Sequence, residues 1–183
     1  HRDARTGEHP RGHEPGQGWL IERVEAGERR GQEYHEEDRD EDLLKALERE
    51  LAQGDVACVL CEPALTNIGI VLPDPGFHAA LRQLTRRHGT LLVIDETHTL
   101  CAGPGGCTRA WGLEPDFITL GKAIGNGIPA AVYGCTEAVA ARLREHLPLS
   151  TADTGGIGGT LAGNALSLAA MRVTLESVLT DAA

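Results

Sequence analysis

The run Leu91-Leu-Val-Ile-Asp95 constrains the fold of this chain more than any other stretch. Four consecutive aliphatic residues, preceded by a His88-Gly89 helix stop and closed by a carboxylate, predict a buried strand. Such strands sit inside parallel sheets covered by helices. The surrounding pattern agrees. Val56–Cys61, Asp116–Leu120 and Pro129–Gly134 also have strand character. Between them lie helical stripes. Leu43, Leu44, Leu47 and Leu51 share one face, with Asp42 as expected N-cap and Gly54 as the stop. Asp74-Pro75 predicts a cap with proline at the first helical position, ahead of Phe77, Leu81 and Leu84. Thr136 is expected to cap a helix carrying Val139, Leu143 and Leu147, stopped by Pro148. Last, the loop Gly155–Gly159 leads into an apolar helix expected from Thr160 to Leu179. The alternation predicts an α/β layered fold with a largely parallel sheet.

Composition divides the chain. Residues 1–42 carry 7 Arg and 13 Asp/Glu around one short apolar cluster, Trp19-Leu20-Ile21. That stretch buries too little to offset ordering entropy and is expected to be irregular, leaving 43–183 as the folded part. A net charge of −10 argues against nucleic acid or anionic lipid as the main partner. No apolar run approaches the roughly 20 residues of a membrane helix, and no leader pattern opens the sequence, so either the protein is cytoplasmic, which is the expectation, or its start is missing. Five cysteines suit free thiols in a reducing compartment. The Cys58-Val-Leu-Cys61 spacing falls on a strand whose alternation sends the two thiols to opposite faces, so core packing is expected rather than a zinc site.

In open α/β sheets, ligands bind beyond the carboxyl ends of the strands. Asp95 closes one predicted strand and Lys122 follows another. Two readings fit this pair. One is a buried ion pair; the other is a lysine whose pKa is lowered by burial for Schiff-base chemistry, with a carboxylate holding a heterocyclic nitrogen protonated. Of seventeen basic residues only Lys45 and Lys122 are lysines, and Lys45 lies on a charged helix. Gly155–Gly159 with Thr160 could receive a phosphate or serve as a turn. Gly125-Asn-Gly-Ile-Pro-Ala130 satisfies a dinucleotide pattern, but Pro129 and a strand follow where that motif needs a helix. The eight histidines form no metal-binding spacing.

The run Leu91-Leu-Val-Ile-Asp-Glu-Thr-His-Thr99, followed by Gly112-Leu-Glu-Pro-Asp-Phe-Ile-Thr-Leu-Gly-Lys-Ala-Ile-Gly-Asn-Gly-Ile-Pro129, resembles class III pyridoxal-phosphate-dependent aminotransferases. Glu62-Pro-Ala-Leu-Thr-Asn67, Pro73-Asp-Pro-Gly-Phe77 and Gly158-Gly-Thr-Leu-Ala-Gly-Asn164 extend the resemblance in order across about residues 40–180. It is nearest to the glutamate-1-semialdehyde aminomutase branch. The resemblance implies part of the mostly parallel sheet in the large domain of a fold-type I enzyme, with pyridoxal 5'-phosphate as cofactor. It implies that Lys122 holds the cofactor as a Schiff base and shuttles the substrate proton, and that Asp95 pairs with the pyridine nitrogen. It assigns Thr160, beside Gly159, to the cofactor phosphate of a partner subunit, hence a homodimer. It assigns Glu62 to ordering the site from behind. The implied substrates are a small-molecule amino donor and a keto or aldehyde acceptor.

The departures are specific. Thr97 stands where the family usually places Val or Ile against the ring. His98 stands where some members carry Gln near the ring hydroxyl, and is expected to approach that oxygen. Asn67 replaces the Glu of ornithine- and 4-aminobutyrate-type members, and Asn126 replaces a usual Gly. The family's phosphate loop, ring-stacking aromatic and C-terminal small domain have no counterpart here, and Tyr34-His35 lies too close to Glu62 to match its Tyr-His-Gly. Two functional readings follow: an interior segment of a transaminase or aminomutase, or a non-catalytic remnant of one.

Overall fold

The computed structural model describes residues 39–146 and 162–180. Helix α1 (Arg39–Leu51) opens with Asp40, Glu41 and Asp42 in its first turn, where carboxylates oppose the positive helix end. It therefore starts ahead of the expected cap at Asp42, and the last residues of the 1–42 segment are helical. Strand β1 (Cys58–Cys61) is shorter than Val56–Cys61, and helix α2 (Phe77–His88) then crosses to strand β2 (Leu91–Asp95). Helix α3 (Gly106–Ala110) leads to strand β3 (Phe117–Leu120). Strand β4 (Val132–Cys135), helix α4 (Glu137–His146) and helix α5 (Ala165–Ser177) complete the described elements.

The four strands lie in the order β1-β2-β3-β4. The first three are parallel and β4 runs antiparallel to β3, with Leu120 opposite Val132. The sheet is mixed but mostly parallel. β2 sits inside it, as its unbroken apolar run requires. Leu92 and Ile94 are buried and meet Leu81 of α2, with Leu44 and Leu47 of α1 and Val59 of β1 packed around them. Each of the fully buried three, Leu81, Leu92 and Ile94, contributes about 1.5–3 kcal/mol on leaving water.

Asp116, just ahead of β3, ties the layers together. Its carboxylate accepts from both terminal nitrogens of Arg82, at 2.7 and 2.9 Å, and from the Leu92 amide at 2.8 Å. Its own amide donates to Leu92 and its carbonyl accepts from Thr136. One residue thus joins α2, β2, β3 and the turn after β4.

Several expected boundaries move. α2 begins at Phe77 after Gly76, whose φ of 94° is open to glycine, so the chain turns once more after Asp74-Pro75 before entering the helix. β4 begins at Val132 rather than Pro129, which has no N–H for a ladder. α5 begins at Ala165 rather than Thr160 because the Asn164 side chain accepts from the Leu166 and Ser167 amides. Thr136 does cap α4, through the Val139 amide at 3.4 Å. Cys58 is exposed and Cys61 half-buried, so the expected core packing fails for Cys58, on an outer strand of the described sheet. Burial pushes the Cys61 thiol up to about 12. Leu147 and Pro148 lie outside the described residues, as does the loop Gly155–Gly159. Among the described residues no helix is long and apolar enough to cross a membrane.

Candidate active site

Because β2 and β3 are parallel neighbours, with Asp95 paired to Thr119, their carboxyl ends share one edge of the sheet. Asp95 is the last residue of β2. Lys122 opens the 3-10 turn Lys122–Gly125 that follows β3. Pairing of the two strands therefore brings Asp95 and Lys122 to the same edge of the sheet.

Asp95 is half-buried. Burial works to raise its pKa, yet the carboxyl is held below its ordinary value by the Thr97 hydroxyl and amide, by the Thr119 hydroxyl and by the Lys122 charge. The Thr97 amide donates to Asp95 Oδ1 at 2.9 Å. Lys122 acts at a distance, since among the described residues no ion pair joins it to Asp95. The buried-ion-pair reading is thereby set aside. The burial expected of the lysine is not met either: Lys122 is exposed, on a turn beyond the strand rather than within it.

Lys122 has φ 43°, in the left-handed region that non-glycine residues avoid. Backbone strain of about 1–3 kcal/mol at such a residue is commonly found at functional positions. Asn126 closes the same turn at φ 46°, which explains why asparagine can replace a glycine there. The turn is backed by α5, whose Ser167 hydroxyl donates to the Pro129 carbonyl at 2.8 Å.

Thr97 packs against the turn as well. A Cβ on Gly121 would lie 3.3 Å from both Thr97 Oγ1 and Cγ2, so the glycine before the lysine lets this side chain fit. Glu96 points the other way and is fully buried. Its carboxylate accepts from the Thr99 hydroxyl, the Cys107 amide at 3.2 Å and the Thr108 amide. A Cβ on Gly106 would fall 2.5 Å from Glu96 Oε2, so only glycine admits this carboxylate to the start of α3. Glu96 thereby anchors the segment that carries Thr97 and His98.

A second cluster joins the end of β1 to that segment. Thr66 Oγ1 bonds Glu62 Oε2 at 2.5 Å and also meets His98 Nδ1. Asn67 follows on an exposed loop closed by the Leu65–Val71 bridge. Glu62 and His98 are thus brought together, while Gly159 and Thr160 lie outside the described residues. Thr66 is the residue that reading the sequence missed. Its signal was a hydroxyl four residues after Glu62, inside the Glu62–Asn67 segment.

A cleft of about 660 Å³ on the α2 side of the sheet is lined by His78, Arg82, Arg86, Trp111 and Leu113. Its cations are spent: Arg82 pairs with Asp116 and Arg86 with Glu114. Among the described residues no cluster of His, Cys, Asp and Glu could hold a metal ion.

A family model, aminotransferase class-III, matches residues 20–182. The chain belongs to this family. The match reaches back into the charged first segment, which the resemblance had left without a counterpart. Among class-III relatives, the glutamate-1-semialdehyde 2,1-aminomutase of Roseiflexus castenholzii is 40% identical over 146 residues, covering 79% of this chain and 31% of that protein. A glutamate-1-semialdehyde aminomutase from Pseudomonas aeruginosa PAO1, solved in complex with PMP, is 56% identical with a TM-score of 0.71, over 76% of this chain and 32% of that one. A β-phenylalanine aminotransferase from Variovorax paradoxus is 29% identical with a TM-score of 0.65, over 79% of this chain and 32% of that one. The chain thus spans about a third of the length of the class-III proteins it matches.

Proposed function

We propose that this chain carries the lysine-bearing centre of a pyridoxal-phosphate-dependent enzyme that moves an amino group from a small-molecule donor to a keto or aldehyde acceptor. The observation that carries the reading is Lys122, held in the left-handed region just past β3, beside a carboxylate kept ionised at the end of β2. When bound, pyridoxal phosphate supplies an aldehyde that condenses with amines and a ring that withdraws electrons from the carbon bearing the amino group. Asp95 would hold a proton on the ring nitrogen. Its hydrogen bonds from Thr97 and Thr119 keep it anionic and fix its direction. Lys122 Nζ would hold the cofactor through its aldehyde and would take and return the proton at the substrate carbon. Thr97 would face the ring, with His98 near its hydroxyl, Asn67 toward the substrate side and Glu62 behind His98.

Gly159 and Thr160 are proposed to reach the phosphate across a homodimer. Exposed apolar side chains support an assembly that covers them: Ile68 and Ile70 are about four-fifths exposed. The five free cysteines support a reducing, cytoplasmic setting. The aminomutase relatives favour intramolecular amino transfer as the activity of the whole protein.

Adding pyridoxal phosphate, reducing with borohydride and mapping peptides by mass spectrometry tests the reading. Attachment is expected at Lys122 and lost in Lys122→Ala; attachment elsewhere sinks it. The second reading is a non-catalytic remnant, for which no stable uptake of the cofactor is expected.

A further inference from the structure

Glu62, Thr66 and His98 form a relay whose proton direction can be derived. Thr66 Oγ1 lies 2.5 Å from Glu62 Oε2 and also contacts His98 Nδ1. Glu62 Oε2 and His98 Nδ1 are 3.7 Å apart, so the hydroxyl mediates between them. The Glu62 and His98 side chains are 22% and 29% exposed, shielded enough for these bonds to persist against water. A threonine hydroxyl has one proton, and a carboxylate has none to give. The Thr66 proton is therefore committed to Glu62, and Oγ1 turns a lone pair toward His98. Nδ1 must then carry a hydrogen. In the neutral ring that leaves Nε2 unprotonated, the reverse of the tautomer a free histidine favours.

We infer that Thr66 is a positioning residue which, with Glu62 as terminal acceptor, fixes His98 as the Nδ1–H tautomer and presents Nε2 as a hydrogen-bond acceptor. The ring is pinned through Nδ1, so its tautomer and its orientation are set together. The chemical meaning of this tautomer rests on the proposed cofactor site. There, neutral His98 accepts from a protonated ring hydroxyl and cannot donate to an ionised one. The relay so selects the ionisation state of the ring oxygen that His98 stabilises. It also pairs a threonine in the Glu62–Asn67 segment with a histidine after Asp95, two positions 32 residues apart.

The test is imidazole nitrogen NMR on the intact 15N-labelled chain at about pH 8.5, above the ordinary histidine range, with His98 assigned by its loss in His98→Ala. A protonated-type shift is expected at Nδ1 and an unprotonated-type shift at Nε2. Thr66→Val removes the lone pair and should move His98 toward Nε2–H, while Thr66→Ser restores the original pattern. Glu62→Gln keeps the side-chain shape but offers the hydroxyl a donor, and should mix the two tautomers. An Nε2–H signal in the unmodified chain overturns the inference. So does Nδ1–H persisting in both Thr66→Val and Glu62→Gln. Attachment at Lys122 is read separately: the expected tautomer without attachment defeats only the cofactor reading, and attachment with Nε2–H defeats only the relay.

Discussion

Asp116 and Asp95 are both carboxylates at strand ends, both held below their ordinary range, and they do opposite work. At Asp116 the first cause is the Arg82 hydrogen bond, opposed by burial and aided by the Leu92 amide and the Arg82 and Arg86 charges. Its oxygens are spent on a two-pronged contact with Arg82 and on the Leu92 amide. At Asp95 burial is the largest influence and acts upward; the hydroxyls and amide of neighbouring threonines overcome it, and Lys122 contributes only from a distance. The first carboxylate is locked into the scaffold. The second is kept charged with its cation uncommitted, the arrangement that a ligand-binding carboxylate needs. An anion can therefore mark structure or function, and the partner that holds it decides which.

Substitutions can break or sharpen this contrast. The largest effect is expected from Asp116→Ala, which strands the largely buried Arg82 guanidinium and should cost about 3–5 kcal/mol in chemical denaturation. A loss below about 1 kcal/mol would put Asp116 on the same footing as a surface pair. Acid unfolding comes next. A carboxyl depressed in the folded state contributes stability that is complete above its unfolded value, about 3.9, and is lost as pH falls through the folded value. Stability measured against pH should therefore fall steeply below about pH 4. Asp116→Asn and Asp95→Asn should each flatten that slope.

Smaller effects belong to the site. Asp95→Asn keeps an acceptor for the Thr97 amide and should change stability by less than about 1 kcal/mol while removing the proposed control of the ring nitrogen. Lys122→Gly should stabilise the fold by about 1 kcal/mol, because glycine adopts φ 43° without the Cβ penalty, and should abolish cofactor attachment. A destabilised Lys122→Gly would mean that the turn is held by the lysine side chain rather than strained for its sake.

Much of the fold was legible because its signals are local. The aliphatic run of β2, the Gly89 stop and the Thr136 cap each depend on residues within a few positions. Element starts were less so. Asn164 caps a helix whose start was expected at Thr160, and Pro129 cannot join a ladder, but only the surrounding backbone selects where such elements begin. The site was legible in part. Asp95 and Lys122 could be named from strand ends and the resemblance. The exposure of Lys122 could not, since burial depends on what packs over a turn. Thr66 escaped because its significance lies in His98, far along the chain.

By itself the sequence determined the alternation of strands and helices and the family, and it singled out the candidate lysine and carboxylate, since periodicity, caps and ordered motifs are properties of short segments. Tertiary structure alone decided that β2 and β3 lie side by side with Asp95 opposite Thr119, that β4 reverses, and that Thr66 stands between Glu62 and His98. Strand pairing and long-range hydrogen bonds are fixed by the packing of distant segments against a shared core, and no local stretch of residues encodes that geometry.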